Sequence, residues 1–146
     1  MKETLKELAK KNMKELILNV ITELRKIDIY KLKRIKNEAD FEVYVVKLLD
    51  KIINRNIKLN TQNKSYNEGR QIRPDISIGE DDLLIELKYN LKGINDIYRL
   101  YYQAIKYSKL ANKILILCIH DPLNKLLPSD KKDLESINKV KVIHIY

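Results

Sequence analysis

Residues 73–90, RPDISIGEDDLLIELKYN, constrain the fold more than any other stretch of the chain. Two runs rich in Ile and Leu flank a turn-forming GEDD, the pattern of an antiparallel hairpin. Side chains alternate along a strand, so Leu83, Ile85, Leu87 and Tyr89 share one face while Leu84, Glu86 and Lys88 share the other. In the first strand Ile72, Pro74, Ile76 and Ile78 oppose Arg73, Asp75 and Ser77. Antiparallel pairing therefore predicts Asp75 beside Glu86 and Lys88. Charges cost free energy in a buried sheet unless they are paired or ligated. Two adjacent carboxylates repel, and one lysine offsets that only in part. A hard divalent cation would resolve the repulsion, magnesium typically taking one or two carboxylates plus water and phosphate. An exposed Asp–Lys salt bridge, worth little in stability, is the alternative reading.

The remaining elements suggest what this hairpin belongs to. A helical stripe of Leu5, Leu8, Met13, Leu16, Val20 and Leu24 runs through residues 2–27, widened by Ala9, Ile17 and Ile21. It can pack on its own domain or serve as a homodimer seam. The basic connector RKIDIYKLKRIK follows, either solvated or touching phosphates. Asn37 is placed to cap a second helix over 38–53 that turns Phe41, Val45, Leu48, Leu49 and Ile52 toward a core. Strands are predicted over 57–61, 71–78 and 83–89, with QNKSYNEG as a loop between the first two. A helix capped by Asn95 runs to Ala111, and KILILCI reads as a strand buried on both faces. A short helix capped by Ser129 and a last strand, VKVIHIY, complete the chain. Helices alternating with strands in this order predict an α/β domain with a mixed sheet flanked by helices.

Composition narrows the partners. The 146 residues suit one domain with a real core, and 45% hydrophobic with 34% charged residues is a globular balance. The single Cys118 excludes an intrachain disulfide or a cysteine-rich zinc site and reads as core. His120 and His144 are too few for a histidine metal centre and read as partly exposed strand-end residues. Scattered glycines provide no phosphate-cradling loop. No apolar run is long enough to span a bilayer, and the charged start MKETLKELAKK does not resemble a secretory signal, so a cytoplasmic location is expected. The net charge of +9 favours a polyanionic partner such as nucleic acid.

Pro74-Asp75 followed, eleven positions on, by Glu86-Leu87-Lys88 resembles the PD-(D/E)xK motif of the restriction-endonuclease-like nuclease superfamily. That family's αβββαβ core resembles the element order from Glu38 to Ile119. The resemblance implies a nuclease-like domain over 37–146, preceded by an N-terminal helix and basic connector over 1–36. It implies a magnesium- or manganese-dependent phosphodiesterase acting on nucleic acid, with a DNA endonuclease the expected activity. A catalytically inactive nuclease-fold protein that binds DNA or assembles with a partner is the alternative. Carried over residue by residue, Asp75 is the central metal ligand, Glu86 the second, the Leu87 carbonyl a third and Lys88 the catalytic lysine. Many members add a helix glutamate, for which Glu42 is the better match and Glu38, one turn earlier, the alternative. Gln103 and Tyr107 resemble the Q-x-x-x-Y element of the RecB-like branch, although Tyr107 would also serve as core. The histidine common in that branch has no counterpart, so the branch is not assigned. Arg70, Arg73, Lys92 and Arg99 flank the hairpin as candidate contacts to a nucleic-acid backbone.

Overall fold

In a computed structural model of the chain, residues 4–53, 57, 59–61, 66–67, 70–71 and 73–146 are described. The first helix, α1 (Leu5–Arg25), starts at a reciprocal cap: the Glu7 N–H donates to the Thr4 hydroxyl, and the Thr4 N–H donates to the Glu7 carboxylate, both at 3.2 Å. Helix α2 (Glu38–Asp50) begins at Asn37, whose side chain accepts the Asp40 N–H at 2.8 Å, as its spacing predicts. Seven strands follow: β1 (Leu59–Thr61), β2 (Tyr66–Asn67), β3 (Arg70–Gln71), β4 (Ile76–Ile78), β5 (Leu83–Tyr89), β6 (Ile114–His120) and β7 (Val140–Ile145). Helix α3 (Ile94–Ser108) joins β5 to β6, and α4 (Pro128–Ser136) joins β6 to β7.

The described residues thus form a mixed α/β structure with four helices around a five-stranded sheet ordered β1-β4-β5-β6-β7. β1, β4 and β5 pair antiparallel, whereas β5, β6 and β7 pair parallel and need the α3 and α4 crossovers. One core layer joins Leu16, Val20 and Leu24 of α1 and Phe41, Val45 and Leu49 of α2 to Ile85, Leu87 and Cys118. The other joins Leu84, Leu115 and Leu117 to Leu100, Ala104 and Tyr107 of α3. The apolar stripe of α1 is therefore used within the chain over residues 16–24, in the same core as the sheet. Leu5 is exposed. No helix among the described residues is long and apolar enough to cross a membrane.

Several boundaries differ from the sequence pattern: α2 ends at Asp50 rather than residue 53, α3 at Ser108 rather than Ala111, and β1 begins at Leu59 rather than residue 57. The strand expected over 71–78 is broken: β3 pairs with β2 in a separate small hairpin, and only Ile76–Ile78 joins the main sheet. Pro74, without an N–H, cannot donate to a ladder and divides the two. Part of the expected loop, Tyr66–Asn67, is itself a strand. Helix α3 is preceded by Gly93 rather than capped by Asn95, and Asp96 reaches back to accept the Lys92 N–H at 2.9 Å. Helix α4 starts at Leu127 with Pro128 in its first turn, and Asp130, not Ser129, accepts the Leu127 N–H at 3.1 Å. Lys2, Lys58, Ile72 and the expected loop residues 62–65 and 68–69 lie outside the described residues, as do the side chains of Leu8 and Ala9.

Leu24→Ala should cost about 2–5 kcal/mol in urea unfolding, as a buried leucine in a shared core does. Unchanged stability would mean that α1 is not integral to the domain.

Candidate metal and phosphate site

The β4–β5 hairpin sets the site. Its register pairs Ile76 with Ile85 and Ile78 with Leu83, so its continuation sets Asp75 against Glu86. The Leu87 N–H donates to Asp75 Oδ2 at 2.9 Å, extending the hairpin beyond its ladder. The turn is held tightly. Gly79, Glu80 and Asp81 all have positive φ, and a Cβ on Gly79 would lie 2.7 Å from the Met13 methyl. Left-handed backbone at two non-glycine residues costs free energy and persists where the surroundings enforce it. Here Arg73 donates to both Asp81 oxygens at 2.8 Å, the Ser77 hydroxyl donates to Asp81 at 2.6 Å, and the Asn112 N–H donates to the Asp81 carbonyl at 2.8 Å. The hydrogen bonds from Arg73 and then Ser77 hold the Asp81 carboxyl below the usual carboxylate range.

Glu38 completes the constellation. Oxygens of Glu38, Asp75 and Glu86 all lie within 4.8 Å of one another. The Tyr89 hydroxyl, at the end of β5, donates to the Ile35 carbonyl at 2.9 Å. That bond ties the connector before α2 to the strand that carries Glu86 and Lys88, and Glu38 is the first residue of α2 after it. Glu38, not Glu42, is thus the third member of the acidic group; Glu42 lies one turn further along α2, half-buried.

Glu86 is the most demanding group. It is 0% exposed, Asp75 is 2% exposed, and both Glu86 oxygens lack a hydrogen-bond partner. Its neighbour on β6 is Leu117, and Tyr107 lies close beneath it. Burial first, and then the Asp75 carboxyl, push the Glu86 carboxyl well above its ordinary range, with Lys88 opposing in part. An orphaned, fully buried carboxyl beside two more fits a divalent cation, whose hard charge takes oxygen ligands. Lys88 lines a cleft of about 120 Å³ together with Glu38, Tyr89, Leu91, Asp96 and Arg99. A water needs only about 10–15 Å³ of such space, so the cleft has room for waters as well as an ion.

The other candidates fall into distinct places. Gln103 and Tyr107 are buried on α3, and the Gln103 Oε1 has no hydrogen-bond partner. Burial, followed by the nearby Glu86 charge, raises the Tyr107 hydroxyl pKa, so Tyr107 underlies the acidic group from within the core. Arg73 is engaged by Asp81 in the hairpin turn. Arg99 is exposed on the cleft wall, whereas exposed Lys92 borders a shallower neighbouring pocket with Gly93 and Ile94. Arg70 sits in β3, outside the main sheet, and its side chain is outside the described residues. Asp96, absent from the sequence reading, borders the cleft from the first turn of α3. An acidic residue three places after a helix start was its available signal.

Cys118 is fully buried, which pushes its thiol up to about 12. His120 is buried rather than partly exposed: it stacks on Tyr89 at 4.6 Å, its Nδ1 accepts the Asn90 N–H at 3.1 Å, and burial lowers its pKa. The His144 Nε2 lies 2.8 Å from buried Asp121.

A carboxyl whose folded pKa is raised favours its protonated form in the native state. Its contribution to stability is full below its unfolded value of about 4.5 and is lost as pH rises through the folded value. In EDTA, Glu86→Gln should therefore raise the melting temperature at neutral pH, by roughly 1–3 kcal/mol of stability, and flatten its fall above pH 4.5. Magnesium should raise the melting temperature of the wild type and not of the variant. A variant less stable than the wild type in EDTA would mean that Glu86 is paired within the protein.

Comparison of the chain with protein-family models, curated proteins and solved structures found no match, so the site is read from its own geometry.

Proposed function

We propose that this chain is a metal-dependent nuclease of the restriction-endonuclease-like type, hydrolysing phosphodiester bonds in DNA. The observation that carries the reading is Glu86: a fully buried carboxyl with two unpartnered oxygens, grouped with Asp75 and with Glu38, which lines the cleft beside Lys88. The spacing of Pro74-Asp75 and Glu86-Leu87-Lys88 across one hairpin supports it, as does a net charge of +9 suited to a polyanion.

Glu38, Asp75 and Glu86 would hold magnesium or manganese, with the Leu87 carbonyl as a further oxygen donor. Once bound, such an ion polarises a phosphoryl oxygen and makes its water more acidic. The chain's own groups do the rest. Asp75 is kept in place by the Leu87 N–H, which fixes one carboxylate oxygen relative to β5. Lys88 presents a cation to the cleft, where it orients an attacking water and stabilises negative charge building on phosphorus. Arg99, across the same cleft, holds an adjoining phosphate. Buried Gln103 and Tyr107 support the floor beneath Glu86.

Plasmid, single-stranded and branched DNA, and RNA, incubated with magnesium, manganese or EDTA, test this directly. Cleavage should require metal, vanish in Asp75→Asn and Glu86→Gln, and fall roughly 10²- to 10³-fold in Lys88→Ala. Glu38→Gln should impair it more than Glu42→Gln. Nucleic-acid binding without metal-dependent cleavage of any substrate would replace the reading with an inactive nuclease-fold binding protein.

A further inference from the structure

Four tyrosines lie on α3, and the fold uses two of them. The Tyr101 hydroxyl donates to Asp130 at 3.0 Å, tying α3 to α4, and Tyr107 is buried. Tyr98 and Tyr102 are instead 64% and 52% exposed, and Ile94 and Ile105 beside them are exposed as well. Exposed apolar side chains scattered singly are ordinary; four on one helix face form a patch. Around the helix axis the order is informative. Asp96, which borders the cleft, and buried Gln103 share one side, Arg99 and Lys106 come next, and Tyr102 and Tyr98 follow on the outer side. The Lys106 ammonium sits 5.9 Å from the centre of the Tyr102 ring, and Arg99 both precedes Tyr102 by one turn and lines the cleft.

We infer that this outer face of α3 is a track for single-stranded nucleic acid, with bases stacking on Tyr98 and Tyr102 and phosphates held by Arg99 and Lys106. The cations lie between the rings and the cleft, so a strand stacked on the tyrosines has its backbone on the side nearest the carboxylates. Residues four apart on a helix are about 6 Å apart along its axis. That exceeds the 3.4 Å step of stacked bases in a duplex, so each ring takes a separate, splayed base. A duplex offers no free base faces to such rings. The inference rests on the nuclease reading for its direction toward the cleft, and it adds the class of substrate: unpaired nucleotides.

The test is anisotropy of a fluorescein-labelled thymidine oligonucleotide of about 12 nucleotides, and of a duplex of equal length, in EDTA so that no strand is cut. Tyr98→Ala and Tyr102→Ala should each weaken single-strand binding roughly 5- to 150-fold. Tyr98→Phe and Tyr102→Phe should retain it, and duplex binding should change less. Lys106→Ala should lower the slope of log affinity against log salt by about one phosphate. Leu18→Ala, which removes an exposed apolar side chain from α1, is the control and should have no effect. Unchanged single-strand affinity in the alanine variants overturns the inference, as does equal loss on duplex and single strand. A dimer in sedimentation that Tyr98→Ala dissociates also overturns it, by making the face a seam between two copies. Cleavage assays on the same proteins separate the two readings. Metal-dependent cleavage with unchanged single-strand affinity leaves the nuclease without the track, and tyrosine-dependent binding without cleavage leaves the track without the nuclease.

Discussion

β5 has a hydrogen-bonded strand on each side and a helical layer on each face, so every side chain on it is committed to one layer or the other. Leu83, Ile85 and Leu87 fill the α1–α2 layer, and Leu84 begins the α3–α4 layer. Continuing that second face, Glu86 enters an environment of Leu117 and Tyr107 in which neither of its oxygens has a hydrogen-bond partner. The strand also receives Asp75 through the Leu87 N–H and carries Lys88 to the cleft. A buried sheet tolerates such a carboxyl only where something else answers its charge.

The burial that makes Glu86 unfavourable in the isolated protein is also what would give the proposed metal site its capacity. In a low-dielectric setting an uncompensated charge is costly, and its attraction to a cation is correspondingly strong. In the proposed metal site, stability and binding would therefore be opposed at this residue. The neighbouring structure is correspondingly firm: the hairpin turn is held by Arg73, Ser77 and Asn112, and the entry to α2 by Tyr89. Rigid supports keep carboxylates close that would otherwise separate.

What the sequence made legible was local. The period of two placed Asp75, Glu86 and Lys88 on one face, the run 113–119 read as an interior strand, and Asn37 announced the start of α2. The boundaries it missed depended on side chains that compete for a single N–H. Asp96 takes that of Lys92, Asp130 takes that of Leu127, and Pro74 has none to offer.

The residues alone determined which groups share a strand face, because alternation is a property of the extended backbone itself. Only the tertiary structure decided that Glu38 rather than Glu42 meets those carboxylates. Helical spacing leaves both on a similar face, and only the packing of the start of α2 near the hairpin, where Tyr89 bonds Ile35 across 54 positions of sequence, tells them apart. It also decided which cations face the cleft. Arg73 is taken up by Asp81 and Arg99 is left on the wall, a division set by the hairpin turn that holds one and the crossover helix that carries the other.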